Sequence, residues 1–298
     1  MSPPTLSNIC RRPAMNTLFE IVVGAGEDLE NEIAAAEAAL DEIARIETVL
    51  SRFDPASEVA RVNRDAHLRP VLISYELLEI IKICRRGWEK TSGYFDITAS
   101  NSTAENKSNF ESVVIDSAAR KISFATPGVK LDFGAFGKGY ALDCAAQLLK
   151  ENGVQNALLH GGTSSLLAMG NPAQVGLRNP WADAEEIEKI PLCDQALSSS
   201  ASFRSGQSTS DIINPLQQIS IRDDAACVVI GTTAAEAEIY STALLCMGKE
   251  FAENFCTENL PPNTQVFWIG HALFEAQTVG RVTPCAPSSL HQRTARTD

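Results

Sequence analysis

Apolar residues recur at helical spacing in the first part of the chain. A strand is predicted first, over Thr17–Val23, and Gly24 and Gly26 mark the turn that ends it. A long helix should follow, because apolar residues then recur at three- and four-residue steps or their sums, while Glu and Asp fill the other face. The apolar stripe consists of Leu29, Ile33, Ala36, Leu40, Ile43 and Leu50. It indicates core packing rather than chemistry.

A second amphipathic helix is predicted over residues 74–90. Its apolar side carries Leu77, Ile81, Cys84 and Trp88. Residues 99–109 that follow are polar and rich in Ser and Asn, which is typical of an exposed loop.

The middle of the chain predicts a strand, a glycine-rich turn and a helix in succession. The strand is predicted over residues 130–133, and the turn has the sequence GAFGKG. The helix is predicted over about residues 140–150, and Gly153 can terminate it.

The next strand is predicted over residues 154–159, and it leads into His160-Gly161-Gly162. Beyond Pro180 lies a polar region without strong periodicity, which contains the serine run 198–200 and the segment DIINP at 211–215. This region predicts no particular structure.

The final predicted strand and helix are better marked. The strand covers residues 227–230, and Thr233 with Glu236 forms a capping box that opens a helix ending at Gly248. Residues 279–298 are Pro, Ser, Thr and Arg without apolar period, which predicts disorder.

Composition narrows the function classes. The 298 residues are 44% hydrophobic and 21% charged, as in an ordinary globular protein, and the net charge of -12 argues against nucleic acid or an anionic membrane as partner. No apolar run approaches the ~20 residues of a membrane-spanning helix. The eight cysteines lie without C-x-x-C pairs or nearby histidines, so neither zinc nor a disulfide scaffold is indicated.

The glycine-rich turn is the first candidate site. Gly134, Gly137 and Gly139 permit close backbone approach, a helix start offers free N–H groups to phosphate, and Lys138 adds a positive charge. The pattern is not a Walker sequence, and taken singly it is more often a tight structural turn than a phosphate site.

The helix opened by Thr233 is the second candidate. Glu238, Ser241 and Thr242 stand at i, i+3 and i+4, so three oxygens share one face. A hard cation such as Mg²⁺ prefers such ligands. The alternative is a solvated carboxylate beside a core hydroxyl.

Further candidates are Asp96, Asp132 and His160. A buried aspartate at a strand end usually has a partner or a ligand, although each could simply cap a turn. His160 beside two glycines could be a general base, but a single histidine is more often a hydrogen-bonded structural residue.

Taken in order, these segments resemble the ApbE-type FAD:protein FMN transferases. The matching segments are AMNTLFEI, LSRFDPASEVARVN, GYFDIT, KLDFGAFGKGYALD, NALLHGGTSS, DIINP and AEIYSTALLCMG, running from about Met15 to Gly248. The glycine segment and the final helix are the most specific of these. The resemblance implies an α+β fold with mixed β-sheets flanked by helices, as one unit over residues 15–278 after a polar leader at 1–14.

The resemblance also implies roles for individual residues. FAD would be bordered by Met15, Phe53 (where the family often has tyrosine), Phe95, Asp96, Ile97, Asp132, Lys138 and Ile213. Mg²⁺ would be held by the main-chain oxygen of Ala135, the carboxylate of Glu238 and the hydroxyl of Thr242. FMN would pass from FAD to a Thr or Ser hydroxyl of an acceptor protein, with release of AMP.

Several positions depart from the family pattern. The family usually has aspartate at Glu238, and the additional methylene lengthens the arm by about 1.5 Å. Asp211 replaces a histidine and is the candidate catalytic base, and Asn214 replaces an aspartate. Asn16 replaces a glycine, and Thr163 replaces an aspartate.

These departures leave two other functions open: an FAD-binding module without turnover, and an FAD diphosphatase in which water replaces the protein hydroxyl. Many family members are exported and lipid-anchored. Cys10 lacks a preceding apolar run, so the expected location is the cytoplasm unless the true start is missing.

Overall fold

The computed structural model describes residues 8–24, 28–99, 109–178, 180, 186–202, 210–221, 225–270 and 274–277. In chain order the helices are α1 Leu29–Leu50, α2 Glu58–Asp65, α3 Tyr75–Lys90, α4 Gly137–Glu151, α5 Ala234–Met247 and α6 Lys249–Asn259. The strands are β1 Ile9–Ala14, β2 Thr17–Val23, β3 Val71–Leu72, β4 Val113–Asp116, β5 Lys121–Phe124, β6 Ala157–Gly161, β7 Ser165–Met169, β8 Ala173–Arg178, β9 Glu186–Leu192, β10 Gln195–Ala201, β11 Ile213–Asn214, β12 Ile219–Ser220, β13 Ala225–Gly231, β14 Gln265–Gly270 and β15 Phe274–Gln277.

One large sheet organises the chain. Its strand order is β1-β2-β6-β7-β10-β13-β14-β15, and three smaller sheets pair β3-β5-β4, β8-β9 and β11-β12. The α+β class with flanking helices is confirmed. Every strand pair in the described residues is antiparallel, so the strands of each sheet pair in a more uniform way than the expectation of mixed sheets implied.

The predicted amphipathic helices form where the apolar period places them. In α1, Ala36, Leu40 and Ile43 are buried in the main core, and the Asp28 side chain caps the helix by accepting from Asn31 N at 3.1 Å. In α3, Ser74 caps the first turn in the same way. The strand predicted over Thr17–Val23 is confirmed as β2.

The starts of α4 and α5 pack directly against each other. A Cβ at Gly139 would lie 2.4 Å from the carbonyl oxygen of Ala234, so only glycine permits this approach. The Asp143 carboxylate on α4 accepts from Ala234 N at 2.8 Å and from Ala235 N at 2.9 Å. Thr233 supplies the predicted cap, its hydroxyl accepting from Glu236 N at 3.2 Å. Burial raises the pKa of Asp143 to about 6.

The prediction of a strand over residues 130–133 is wrong. This segment pairs with no strand of the described residues. Leu131 N donates to Asn63 Oδ1 at 2.7 Å, Asn63 Nδ2 donates to Leu131 O at 2.9 Å, and Asp132 N donates to Ile97 O at 2.7 Å. The following helix begins at Gly137 rather than near residue 140. The predicted strand 154–159 is shifted to Ala157–Gly161.

Two segments without predicted structure prove to be ordered parts of sheets. Part of the polar leader, Ile9–Ala14, is β1, which pairs with β2. The region beyond residue 180 forms the second strand of the β8–β9 hairpin, and its serine run lies within β10 in the large sheet. Most of the loop 99–109 and the tail 279–298 lie outside the described residues.

Among the described residues, no helix combines the length and the apolar composition that a membrane crossing requires.

We predict that Asp143→Ala lowers the free energy of unfolding by about 1–3 kcal/mol, because two buried N–H groups at the start of α5 lose their acceptor. Urea unfolding followed by circular dichroism measures the change. The matched control is Gln147→Ala, which removes an exposed side chain one turn further along α4. An equal change in both variants would contradict a stabilising role of the two hydrogen bonds to Asp143, because alanine raises helix propensity at either position.

Candidate active site

A cavity of about 790 Å³ opens between the large sheet, the start of α4 and one face of α5. Every residue predicted for the site except Ile97 lines it. These lining residues are Met15, Phe53, Phe95, Asp96, Asp132, Ala135, Lys138, Asp211, Ile213, Glu238 and Thr242. Residues far apart in the chain are therefore brought to one place.

Ile97 is a buried core residue, not a residue of the cavity wall. Its carbonyl oxygen accepts a hydrogen bond from Asp132 N at 2.7 Å. Its contribution in this structure is to hold the segment that carries Asp132.

Glu238 is the most buried carboxylate of the cavity, with 3% of its surface exposed. Its Oε1 atom accepts from Ser165 Oγ at 2.6 Å and lies 3.2 Å from Lys138 Nζ. Its Oε2 atom is buried and has no hydrogen-bond partner among the residues that the structure describes. A buried carboxylate oxygen in this state costs free energy unless a ligand binds to it.

The three oxygens predicted to share a face of α5 have different surroundings. Ser241 is fully buried and faces the sheet, where its hydroxyl lies 3.0 Å from Ser198 Oγ and 2.9 Å from Ser200 Oγ. Thr242 lines the cavity beside Glu238, with its hydroxyl 3.3 Å from Ser200 Oγ. Glu238 and Thr242 therefore remain available to a ligand, while Ser241 ties the helix to β10.

Lys138 is the second residue of α4, so its backbone belongs to the first turn of the helix. Its ammonium group is directed to Glu238. The sequence suggested a lysine available for phosphate, and the structure shows one that already neutralises a buried carboxylate. An anionic group entering the cavity would meet the N-terminal end of α4 and this ion pair together.

Asp132 and Arg52 form a second ion pair in the cavity lining. Asp132 Oδ2 lies 3.0 Å from Arg52 Nη1, and Oδ1 accepts from Gly134 N at 2.9 Å, which shapes the glycine-rich turn. Arg52 also stacks on Phe53, with its guanidinium carbon 4.7 Å from the ring centroid. Phe53 is 72% exposed, so one face of an aromatic ring is presented to the cavity.

Asp96 has a structural function in this structure. Its Oδ1 atom accepts from both Thr98 N and Thr98 Oγ1 at 2.7 Å, and its Oδ2 atom accepts from Phe110 N at 2.9 Å. Burial raises the pKa of this carboxyl, although these hydrogen bonds oppose the change. Asp96 was expected either to bind a ligand or to cap a turn, and its hydrogen bonds are those of a turn cap.

Met15 and Asn16 form the turn between β1 and β2 at the cavity edge. Both residues have positive φ, 50° and 58°. Met15 N donates to Glu47 Oε1 at 2.8 Å, which anchors the turn on α1. Asparagine tolerates this backbone conformation better than most residues, so Asn16 can replace the glycine of the family pattern.

Asp211 is exposed, lines the cavity and directly follows the buried Ser210. Two residues further on, Ile213 also lines the cavity. A carboxylate at this place is accessible to a hydroxyl group approaching from solvent.

Asn214 is a buried structural residue. Its Nδ2 donates to Cys246 O at 2.8 Å, and its Oδ1 accepts from Leu216 N at 3.0 Å and Gln217 N at 3.1 Å. The amide orientation is fixed by these partners, because a carboxylate could not donate to the Cys246 carbonyl. The asparagine therefore holds the Asp211 segment against the end of α5.

His160 does not belong to the cavity wall. It lies on β6 opposite Glu20 of β2, and burial lowers its pKa. Its position fits a structural histidine better than a general base.

Sequence reasoning missed Arg52, Ser165 and the cavity-lining serines of β10. Arg52 and Ser165 lie inside the segments that carried the family resemblance, next to Phe53 and after the Gly pair. The serine run was visible but had no period to indicate a strand. Only strand pairing and helix packing bring Ser165 to Glu238, across 73 positions of sequence. Within the described residues, no cluster of three or more His, Cys, Asp and Glu side chains could hold a metal ion.

The fold is that of the flavin transferases of known structure. The Vibrio cholerae flavin transferase ApbE superposes with a TM-score of 0.76 at 21% identity, covering 91% of this chain and 96% of the other. The ApbE protein of Thermotoga maritima gives a TM-score of 0.78 at 23% identity, with 90% and 96% covered.

The chain belongs to the ApbE family, whose model matches residues 15–268. A similar curated protein is the FAD:protein FMN transferase of Klebsiella pneumoniae strain 342, which is 24% identical, with 86% of this chain and 83% of that protein covered. The Salmonella typhimurium protein of the same name is 25% identical, with 80% and 78% covered.

We predict that Asn214→Asp, the change toward the family pattern, destabilises this chain by about 1–3 kcal/mol at neutral pH, because a buried donor is lost and a carboxylate faces the Cys246 carbonyl. Burial should raise the pKa of the new carboxyl. The protonated form can donate again, so the loss should shrink as the pH falls.

Urea unfolding at pH 8 and pH 5 measures this effect. Gln217→Glu is the matched control, because it makes the same amide-to-carboxylate change at an exposed position of the same loop. An unchanged stability of Asn214→Asp at both pH values would contradict the structural role of Asn214.

Proposed function

We propose that this protein is a Mg²⁺-dependent FAD:protein FMN transferase, which moves FMN from FAD to a Thr or Ser hydroxyl of an acceptor protein and releases AMP. The observation that carries the proposal is the single cavity that holds Lys138, Asp211, Glu238 and Thr242 together. The names of the similar curated proteins support the same activity.

The residues of the cavity fit a divalent cation. Within the described residues, Glu238 Oε2 is buried without a partner, and Thr242 lines the same cavity. Ala135 is exposed in the glycine-rich turn and lines the cavity, and its main-chain oxygen would be the third ligand. These are the oxygen ligands that Mg²⁺ prefers. A cation bound there would neutralise the diphosphate charge during transfer.

The cavity also suits FAD in size and chemistry. Its volume of about 790 Å³ lies in the usual range for ligand sites. Among the described lining residues the cationic side chains are Arg52 and Lys138, each paired with a carboxylate, Asp132 or Glu238. Phe53 offers an aromatic face for a ring of the substrate.

Asp211 is the proposed general base. It accepts the proton of the acceptor hydroxyl as that oxygen forms a bond to the FMN phosphorus, and the bond from this phosphorus to the oxygen of the AMP phosphate breaks. AMP then leaves with the electron pair of the broken bond. Positioning and electrostatics supply most of the rate in such reactions.

We predict that Asp211→Asn slows FMN transfer by about 10²–10⁴-fold and leaves FAD affinity nearly unchanged, because the amide cannot accept the proton. Asp211→His should retain or raise the rate. Mass spectrometry of an acceptor protein measures attached FMN, and calorimetry measures FAD binding.

The same assay separates the alternatives. Rapid transfer by Asp211→Asn would refute the base role. No transfer by the parent with gain only in Asp211→His would identify a binding module, and AMP release without acceptor labelling would identify a diphosphatase.

We predict that Glu238→Ala reduces AMP release by about 10²–10³-fold and abolishes its dependence on added Mg²⁺, because the carboxylate that holds the cation is removed. AMP is quantified by chromatography with and without chelator. Glu236→Ala, two residues earlier on α5, is the control and should behave as the parent. AMP release by Glu238→Ala that is normal and still requires Mg²⁺ would place the cation elsewhere, and normal release by the parent with chelator would show that no cation is required.

A further inference from the structure

We propose that Ser165 is a positioning residue, which fixes the Glu238 carboxylate so that Oε2 is the atom presented to a bound cation. The inference rests on the cation site of the proposed function. It adds that Glu238 can bind the cation well only because the Ser165 hydroxyl of β7 holds its carboxylate.

The position of Ser165 is determined by the large sheet. It is the first residue of β7, fully buried, and its register partners are Gly161 on β6 and Ser198 on β10. Strands on both sides hold its backbone. The hydroxyl is therefore attached to a backbone position that the sheet fixes, and it reaches α5 from there.

The two carboxylate oxygens of Glu238 have different contacts. Oε1 receives both the Ser165 hydroxyl at 2.6 Å and the Lys138 ammonium group at 3.2 Å. Oε2 receives neither. A serine hydroxyl can donate only one hydrogen, so this donation commits Ser165 to Oε1 and sets the rotation of the carboxylate.

Glutamate needs such a restraint more than aspartate does. Its side chain has one more rotatable bond, and a partly ordered carboxylate presents its oxygens poorly to an ion as geometrically strict as Mg²⁺. The shorter side chain of aspartate would withdraw the carboxylate by about 1.5 Å from Ser165. The restraint therefore belongs to the glutamate that this chain carries.

The test measures Mn²⁺ binding to the full chain without FAD, by the electron paramagnetic resonance signal of free Mn²⁺. Ser165→Ala should weaken Mn²⁺ affinity by about 10–100-fold, the usual effect of losing a hydrogen bond to a metal ligand. Ser165→Thr keeps the hydroxyl and should restore most of the affinity.

A matched control is Ser202→Ala. Ser202 is a buried serine in the wall of the same cavity, but its hydroxyl donates to Ala225 O at 3.2 Å. The Mn²⁺ affinity of Ser202→Ala should equal that of the parent. Equal weakening in Ser202→Ala and Ser165→Ala would overturn the positioning role in favour of general packing.

A double-mutant cycle separates positioning from folding. In the Glu238→Asp background, Ser165→Ala should change Mn²⁺ affinity by less than about threefold, because the shorter carboxylate no longer reaches the hydroxyl. If Ser165→Ala fails to fold by circular dichroism, Ser165→Cys replaces it, since the thiol is of similar size and a weak donor. The full Ser165→Ala effect in the aspartate background would overturn the inference.

The remaining outcomes distinguish this inference from the proposed function. Unchanged Mn²⁺ affinity in Ser165→Ala, with loss of binding in Glu238→Ala, overturns the positioning role and leaves the cation site intact. Failure of the parent to bind Mn²⁺ overturns both.

Discussion

The contact between the first turns of α4 and α5 is the constraint on which the site depends. Gly139 lets the two backbones touch, and the Asp143 carboxylate accepts hydrogen bonds from the buried N–H groups at the start of α5. One residue before Gly139 and one turn into α5, the Lys138 ammonium group meets the Glu238 carboxylate. A larger residue at position 139 would separate the helices and the charges together.

A second constraint is the set of serine hydroxyl groups on the face of the large sheet that packs against α5. Ser198 and Ser200 of β10 bind Ser241, and Ser165 of β7 binds Glu238. Buried hydroxyl groups are costly unless they find partners, and here they find them in one another. The helix is thereby held at a fixed rotation, with Glu238 and Thr242 toward the cavity.

The departures from the family pattern have different physical meanings once their surroundings are known. Asn16 adopts the positive φ that a glycine would adopt. Asn214 serves as a buried clamp on α5 through a donor that aspartate lacks. Glu238 remains in contact with Lys138 through its longer arm. Of these four departures, Asp211 is the one that adds an exposed carboxylate to the cavity lining.

The sequence by itself determined the features that depend on near neighbours: the apolar stripe of α1, the cap of α5 at Thr233 and the side chains from which a cation or phosphate site could be built. The tertiary structure decided what depends on distant partners. Residues 130–133 are no strand because the Asn63 side chain takes the hydrogen bonds of Leu131 and the Ile97 carbonyl accepts that of Asp132 N. Ser165 reaches Glu238 only through strand register and helix packing. Local periodicity reports which face of an element is buried, but not which residue of another element it meets.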